Sequence, residues 1–476
     1  MISRFLAWCV MIGAACVGGC ANVPGDAGFG DVERAVAERI GSRVHWNRGS
    51  AADEAVAETV RSMLSRELGV DEAVQIALLN NRSLQATYEG LGVAQAEVVQ
   101  AGLLRNPIFD AEVKFVEGGG GHSLELAVVQ DFLDVFLIPL RKRVAEDAFE
   151  AAKLRVTGAV LDLAGQVRTA YYTCAAAEQT LELRRSVVAA TEAAYDLAKR
   201  LRVAGNTTAL DLANERALYE QAKLDLARAE TAVLDAREGL NVLLGVWGED
   251  VNWKAAGRLL DPPAEEVATD TMEGRAVEAS IELALARTEV EAAARTLGLR
   301  RTFALLPQAE AGAAAEREPD GEWAVGPAFS LPIPLFDLGQ AATLAARSEF
   351  ERARHRYAAA AIEVRSAARA ARNRLVADRA RVNYFRQVIL PLRREITEGT
   401  QLQYNAMQVG PFQLLQARQA EIDAGAAYVE ALRDYWITRS RMQQITSGRL
   451  AGPTSVRSAE VGTSGSSGRG RDTGGH

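Results

Sequence analysis

Large and small apolar residues recur every seven positions through a long central stretch, from Leu140 to Val246. One ladder is Val160, Val167, Cys174, Leu181, Val188 and Tyr195, and the set three residues on is mostly small: Leu163, Ala170, Ala177, Arg184, Thr191 and Ala198. A second ladder is Leu212, Tyr219, Leu226, Val233 and Leu240, with Glu215, Ala222, Ala229, Ala236 and Leu243 as companions. Seven-residue spacing of large and small side chains is what two helices need to wind closely together. The stretch therefore predicts two long antiparallel helices joined by a turn at Val203–Asp211. Gly205 supplies the backbone freedom that ends the first arm, and Thr207 or Thr208 caps the second. The first arm alone would run roughly 95 Å, too long for the inside of one globular core.

Around this hairpin the hydrophobic period changes and then repeats. Residues 22–70 predict a spacer and short helical pieces, with Trp46 as an anchor. A helix beginning at Val70 continues to about Leu104 and is stopped by Pro107. In 108–116, Phe109, Ala111, Val113 and Phe115 alternate with Asp110, Glu112 and Lys114, which predicts a strand with one apolar and one polar face. A glycine run at Gly118–Gly121 separates it from a second strand at 124–130. After a break at 247–271 the plan recurs. A helix at Glu273–Arg301 is stopped by Pro307, a weak alanine-rich strand covers 308–315, and Trp323, Val325, Phe329 and Leu331 share one face of a strand over 323–331. A second hairpin follows from about Gly339 to 447. Leu375, Val382, Ile389 and Ile396 line its first arm, Leu415, Ile422, Val429 and Trp436 line its return, and the turn is at Val409-Gly410-Pro411. Pro391 should kink or interrupt the first arm, whereas the first hairpin carries no interior proline. Residues 448–476 are poor in large apolar groups and predict a disordered tail.

The remaining chemistry narrows the class. Net charge is −8, which argues against a nucleic-acid partner. Arg4, the apolar run Phe5–Val17 and the small residues before Cys20 read as a targeting segment. Val17-Gly18-Gly19-Cys20 resembles the bacterial lipobox, whose cysteine is diacylated and becomes the new N-terminus. By the same resemblance, Ala21 after it points to the outer membrane. An ordinary signal peptide with a chance cysteine, or an uncleaved anchor, is the alternative. With Cys9 and Cys16 removed and Cys20 modified, Cys174 is a lone thiol at a seam position and reads as a small core residue. The histidines are scattered, and no P-loop, HExxH or GxSxG pattern marks an enzyme. No cofactor or metal site is expected beyond the lipid on Cys20.

The leading stretch Asp71–Asn81, the stops Pro107 and Pro307, the turn Gly205–Asp211 and the series Pro391, Tyr404, Gly410 resemble the TolC family of outer-membrane efflux factors. The likeness spans roughly residues 30–447. It implies a mainly α fold with a small β part, built from a duplicated helix–strand–strand–hairpin unit. It also implies a homotrimer in which a helical barrel crosses the periplasm and continues into a twelve-stranded barrel in outer-membrane lipid. The implied partners are a periplasmic adaptor and an inner-membrane pump, and the implied role is a passive conduit for small molecules or metal ions. The tip and gate positions carried over are Gly205, Asn206, Thr207, Asp211, Gly410, Pro411, Gln416 and Gln419. The family often has acids where Gln416 and Gln419 stand, so the resemblance implies a gate with less negative field. The alternative from another class is a lipid-anchored periplasmic coiled-coil scaffold without a pore.

Overall fold

The computed structural model describes residues 25–115, 122–131, 134–265, 271–302, 310–317, 322–330 and 338–450. The targeting segment with Cys20, the glycine run, Pro307 and the chain after Leu450 lie outside these residues. Two short helices, α1 (Phe29–Ile40) and α2 (Ala51–Leu64), and a two-residue strand, β1 (Glu67–Leu68), lead into α3 (Val70–Asn80) and α4 (Arg82–Ala101). Strands β2 (Ile108–Phe115) and β3 (His122–Asp131) follow, then the hairpin α5 (Asp134–Val203) and α6 (Ala209–Leu244). After β4 (Lys254–Ala255) come α7 (Met272–Ala279), α8 (Ile281–Thr302), β5 (Glu310–Arg317) and β6 (Trp323–Ser330). The second hairpin is α9 (Gln340–Tyr384), a π-helical segment Phe385–Ile389, α10 (Leu390–Asn405) and α11 (Pro411–Thr446).

The repeat goes deeper than the periodicity suggests. Each leading helix expected to be continuous is broken in two. Asn81 takes extended backbone angles, ends α3, and caps α4 by accepting the Leu84 N–H at 3.0 Å. Ser280 does the same between α7 and α8, accepting the Leu283 N–H at 3.1 Å. A side-chain acceptor at the N-cap satisfies a backbone donor that the helix itself cannot. Each break also closes on the end of its own hairpin. Asn80 donates to the Leu244 and Gly245 carbonyls at 3.0 and 2.8 Å, and Asn81 donates to Leu243 at 2.9 Å. Gly245 has φ +71, and a Cβ there would sit 2.9 Å from the Asn80 carbonyl, so only glycine fits. In the second half Gly448 holds φ +97 and its carbonyl accepts the Ile281 N–H at 2.8 Å. The first residues assigned to a tail are therefore fixed. Arg449 pairs with Asp162 at 2.7 Å and with Glu282 at 3.1 Å, which ties the end of α11 to both repeats.

The N-terminal helices complete the first core. Trp46 is buried against Phe29 and Tyr88, with Arg48 stacked 3.8 Å from its ring centre. β1 and β4 pair in parallel, a link between the N-terminal segment and the inter-repeat linker that is too short to leave a pattern in the sequence.

The long helices pack by the expected alternation. Val160, Val167 and Cys174 are fully buried, and the small companions Ala222 and Ala229 are largely so. Tyr195 and Tyr219 stack at 6.0 Å where the two ladders meet. Burial raises the Cys174 thiol to about 12, which fits a core residue rather than a nucleophile. The first arm starts at Asp134, so Pro139 lies inside it, contrary to the reading that this hairpin has no interior proline. At 70 residues the arm extends about 105 Å. In the second hairpin the interruption falls just before Pro391. Pro391 has no N–H and its ring crowds the carbonyl one turn back, and the π segment widens the helix to accommodate both. The extra residue also rotates everything below it. Leu375 and Val382 are buried, whereas Ile396, two heptads further, is exposed.

The four longer strands form one antiparallel sheet in the order β2-β3-β5-β6. β5 begins two residues later than the alternation suggested. A run of alanines has no large side chain to set the phase, and pairing with β3 sets it instead. Gly312 is required here, because a Cβ would lie 2.0 Å from the Val128 carbonyl oxygen.

Asn80→Ala removes two hydrogen bonds to helix-end carbonyls and is expected to cost about 1–3 kcal/mol. Thermal unfolding would show it as a lower Tm with unchanged helical content; an unchanged Tm contradicts the assignment.

Candidate functional site: the hairpin turns and the sheet

At the first turn, Gly205 adopts φ +77 and its neighbours close the end of α5: the Asn206 N–H donates to the Leu201 carbonyl at 2.9 Å. Thr208, rather than Thr207, is the N-cap of α6, accepting the Asp211 N–H at 3.0 Å. Asp211 answers by accepting from the Thr208 N–H at 3.2 Å, the Thr208 hydroxyl at 2.6 Å and the Thr207 hydroxyl at 3.3 Å. This is a capping box, and its hydrogen bonds hold the Asp211 carboxyl below its ordinary range. Arg202 donates to the Thr207 carbonyl at 3.1 Å and straps the turn from the other side.

The second turn is built differently. Pro411 stands at the first position of α11, where its missing N–H costs nothing and its φ is already helical. Gly410 has φ −81 and ψ 167, extended backbone suited to the residue before a proline. The left-handed position belongs instead to Met407, at φ +60 and 94% exposed. Gln416 is exposed, and Gln419 donates along its own helix to Asp423 at 3.0 Å. Neither glutamine bonds to Asp211.

Charged groups that approach between the hairpins here include Glu215 on α6 and Arg418 on α11, and beyond them Arg184 on α5 pairs with Asp423 on α11 at 4.0 Å. Glu215 is buried at a seam position, and Arg418 donates to Gln401 at 2.7 Å. Burial pushes the Glu215 carboxyl up, the nearby Asp211 charge adds to this, and Arg418 opposes it. The sequence held the signal: Glu215 is the one acid in a column that continues with Ala222, Ala229, Ala236 and Leu243.

At the far end of each hairpin from its turn, the sheet presents two unlike faces. The register aligns Phe109 with Val128, Val128 with Ala313 and Ala313 with Pro327, so Phe109, Val113, Phe115, Leu124, Leu126, Val325 and Phe329 share one face. That face is open to its surroundings: Phe115 is 82% and Phe329 78% exposed. The opposite face carries Asp110, Glu112, Lys114, Glu125 and Glu316, with Lys114 paired to Glu125 at 2.9 Å. Among the described residues, the outer edges of β2 and β6 have no strand partner. No described helix is long and apolar enough to cross a membrane.

Residues 73–246 match the family profile described as outer membrane efflux protein. Over these residues, which make up most of the first repeat, the chain is similar to that family. It is 22% identical over 370 residues to the cobalt-zinc-cadmium resistance protein CzcC of Cupriavidus metallidurans, covering 77% of this chain and 86% of that one. Its fold is similar to that of a Pseudomonas aeruginosa membrane protein, with a TM-score of 0.68 at 19% identity over 81% of this chain and 92% of that one. It is also similar to VceC, an outer membrane protein of Vibrio cholerae, with a TM-score of 0.65 at 16% identity over 80% and 96%. These likenesses show a mainly helical TolC-like fold, and the matched profile is that of outer-membrane efflux channels, which are not enzymes.

Because the Glu215 carboxyl is raised in the folded chain, folding favours its protonated form. The stability it lends is full below the ordinary value of 4.5 and is lost as pH rises through the raised value. Glu215→Gln should therefore slow amide exchange in 209–218 near neutral pH, with the difference vanishing below pH 4.5. Equal exchange of the two proteins at neutral pH would contradict the role of burial.

Proposed function

We propose that three copies of this chain assemble into one conduit, with the sheets closing a barrel in the outer membrane and the hairpins forming a tube through the periplasm. The observation that carries this is the four-stranded sheet with one apolar exposed face and two unpaired edges. Lipid tolerates the apolar face but not open edges, since unpaired backbone groups there have no water to bond. Three sheets of four strands joined edge to edge leave none. The ten residues of β3 extend about 33 Å and, tilted near 40°, rise about 25 Å, the height of an outer-membrane apolar band. Closure in this sense turns the face with Asp110, Glu112 and Glu125 toward the lumen.

Cys20, acylated, anchors the chain to outer-membrane lipid. The turns at 205–211 and 406–411 then lie at the periplasmic end and meet the adaptor of a tripartite pump. Gly205, Asn206, Thr207, Gly410 and Pro411 shape that contact surface, and Asp211 holds the first turn in shape. Gln416 and Gln419 line a resting constriction without the acids common in the family. The relative CzcC is named for cobalt, zinc and cadmium resistance. Metal ions are accordingly the favoured cargo, passed without binding: among the described residues no group of histidine, cysteine, aspartate or glutamate could hold a metal. A scaffold without a pore has no use for Phe109, Phe115 or Phe329 on an open face.

Conductance in planar bilayers tests the gate. The channel should conduct, and Gln416→Asp with Gln419→Asp should raise its preference for cations over anions severalfold. Unchanged selectivity would remove these residues from the constriction, and the absence of any conductance would favour the scaffold.

A further inference from the structure

A second feature, unrelated to the turns or the sheet, sits where the repeats meet. Three arginines from three different elements line one half-open cavity of about 330 Å³: Arg39 at the end of α1, Arg168 in mid-α5 and Arg275 on α7. Among the described residues no carboxylate lines it; the rest of the wall includes Ile40, Met272, Met442 and Gln443. The volume is at the small end of ligand pockets.

Each guanidinium has a different standing. Arg39 is partly buried and uses one nitrogen to hold the Ala279 and Ser447 carbonyls at 2.7 and 2.6 Å, which mark the ends of α7 and α11. Among the described residues it has no carboxylate within ion-pair distance, and its charge is offset by carbonyl dipoles and by the more distant Glu38 and Glu282. Glu282 is itself engaged by Arg449. Arg168 is mostly buried, and its acid partner, Asp71, lies 3.6 Å away on a side chain that is 83% exposed. Arg275 is exposed, and among the described residues its guanidinium has no hydrogen-bond or ion-pair partner. A partly buried cluster of like charges with so few counter-charges is costly to hold together. An anion placed among the three would relieve that cost and accept from the planar guanidinium forks, the geometry arginine offers to carboxylate and phosphate.

We propose that this junction cavity binds a small organic anion, a phosphate monoester or carboxylate with a compact apolar group. The anionic head would lie among Arg39, Arg168 and Arg275, and the apolar group against Met272 and Met442. Because the three arginines come from the N-terminal segment, the first hairpin and the second repeat, occupancy would clamp the two halves together at mid-height. The site does not depend on the channel being a trimer or on its cargo.

Phenyl phosphate is a suitable probe, titrated calorimetrically into the detergent-extracted full chain, with inorganic phosphate and neutral benzyl alcohol as comparisons. Phenyl phosphate should bind saturably, one per chain, with a Kd of about 1 mM or tighter, and more tightly than inorganic phosphate. Arg275→Gln and Arg168→Gln should each weaken it about tenfold, the size of a lost charge-assisted hydrogen bond. Arg275→Lys should recover part of the loss. Arg39 is left unchanged, because it also holds two helix ends, and circular dichroism would establish that the other variants fold. Saturable binding lost in both glutamine variants supports the site. Binding matched by benzyl alcohol, binding within twofold of the parent in both variants, or no saturable binding overturns it.

Discussion

A sheet with open edges and an apolar outer face is the constraint on which everything else depends. In water its exposed aromatics would drive association, and in lipid its unpaired edges would each leave a row of unsatisfied backbone groups. The proposed edge-to-edge closure with copies of itself would answer both objections at once, and the register suits it. Phe109, Phe115, Trp323 and Phe329 stand on one face because β2, β3, β5 and β6 pair without a slip. A one-residue slip in any strand would move its apolar set to the charged side. The close approach at Gly312, where no side chain fits, is one place where that register is locked.

In the proposed assembly the helical part would serve this closure by fixing where the sheet ends and the turns lie. Small residues at the seams let the arms of each hairpin run side by side for most of their length. The two leading-helix breaks, at Asn81 and Ser280, clamp each hairpin's far end to the start of its own repeat. The halves then diverge. The first arm of the first hairpin runs through Pro139 without interruption, whereas the second passes through a π segment before Pro391. Below that segment the apolar ladder is rotated outward, so the lower part of the second hairpin is less firmly seated than the first. The inter-repeat linker lies against this junction, with Asp261 accepting from Arg386 in the π segment and from Tyr428 across on α11.

Much of this was legible in the sequence, and the failures have physical causes. Heptads and alternation are long-range patterns, so the hairpins, three of the strands and the duplication could be read directly. The helix breaks could not, because Asn81 and Ser280 act through capping and neither is a proline or glycine. The β5 boundary was out of reach because alanine carries no phase. The first residues of the supposed tail looked disordered by composition, yet Arg449 is held by two carboxylates that only the fold brings together. At the second turn the left-handed position belongs to Met407, a residue that gives no hint of it. Asp211 proves to be a cap of its own helix. The buried acid of that region, Glu215, was visible as an anomaly in a column of alanines.

The central claim is that the chain is complete only when its sheet closes with other copies. The mass of the detergent-extracted protein, corrected for bound detergent, tests it most directly. Three chains in an elongated particle with three-fold symmetry are the predicted result. A stable monomer with its sheet intact would contradict the account.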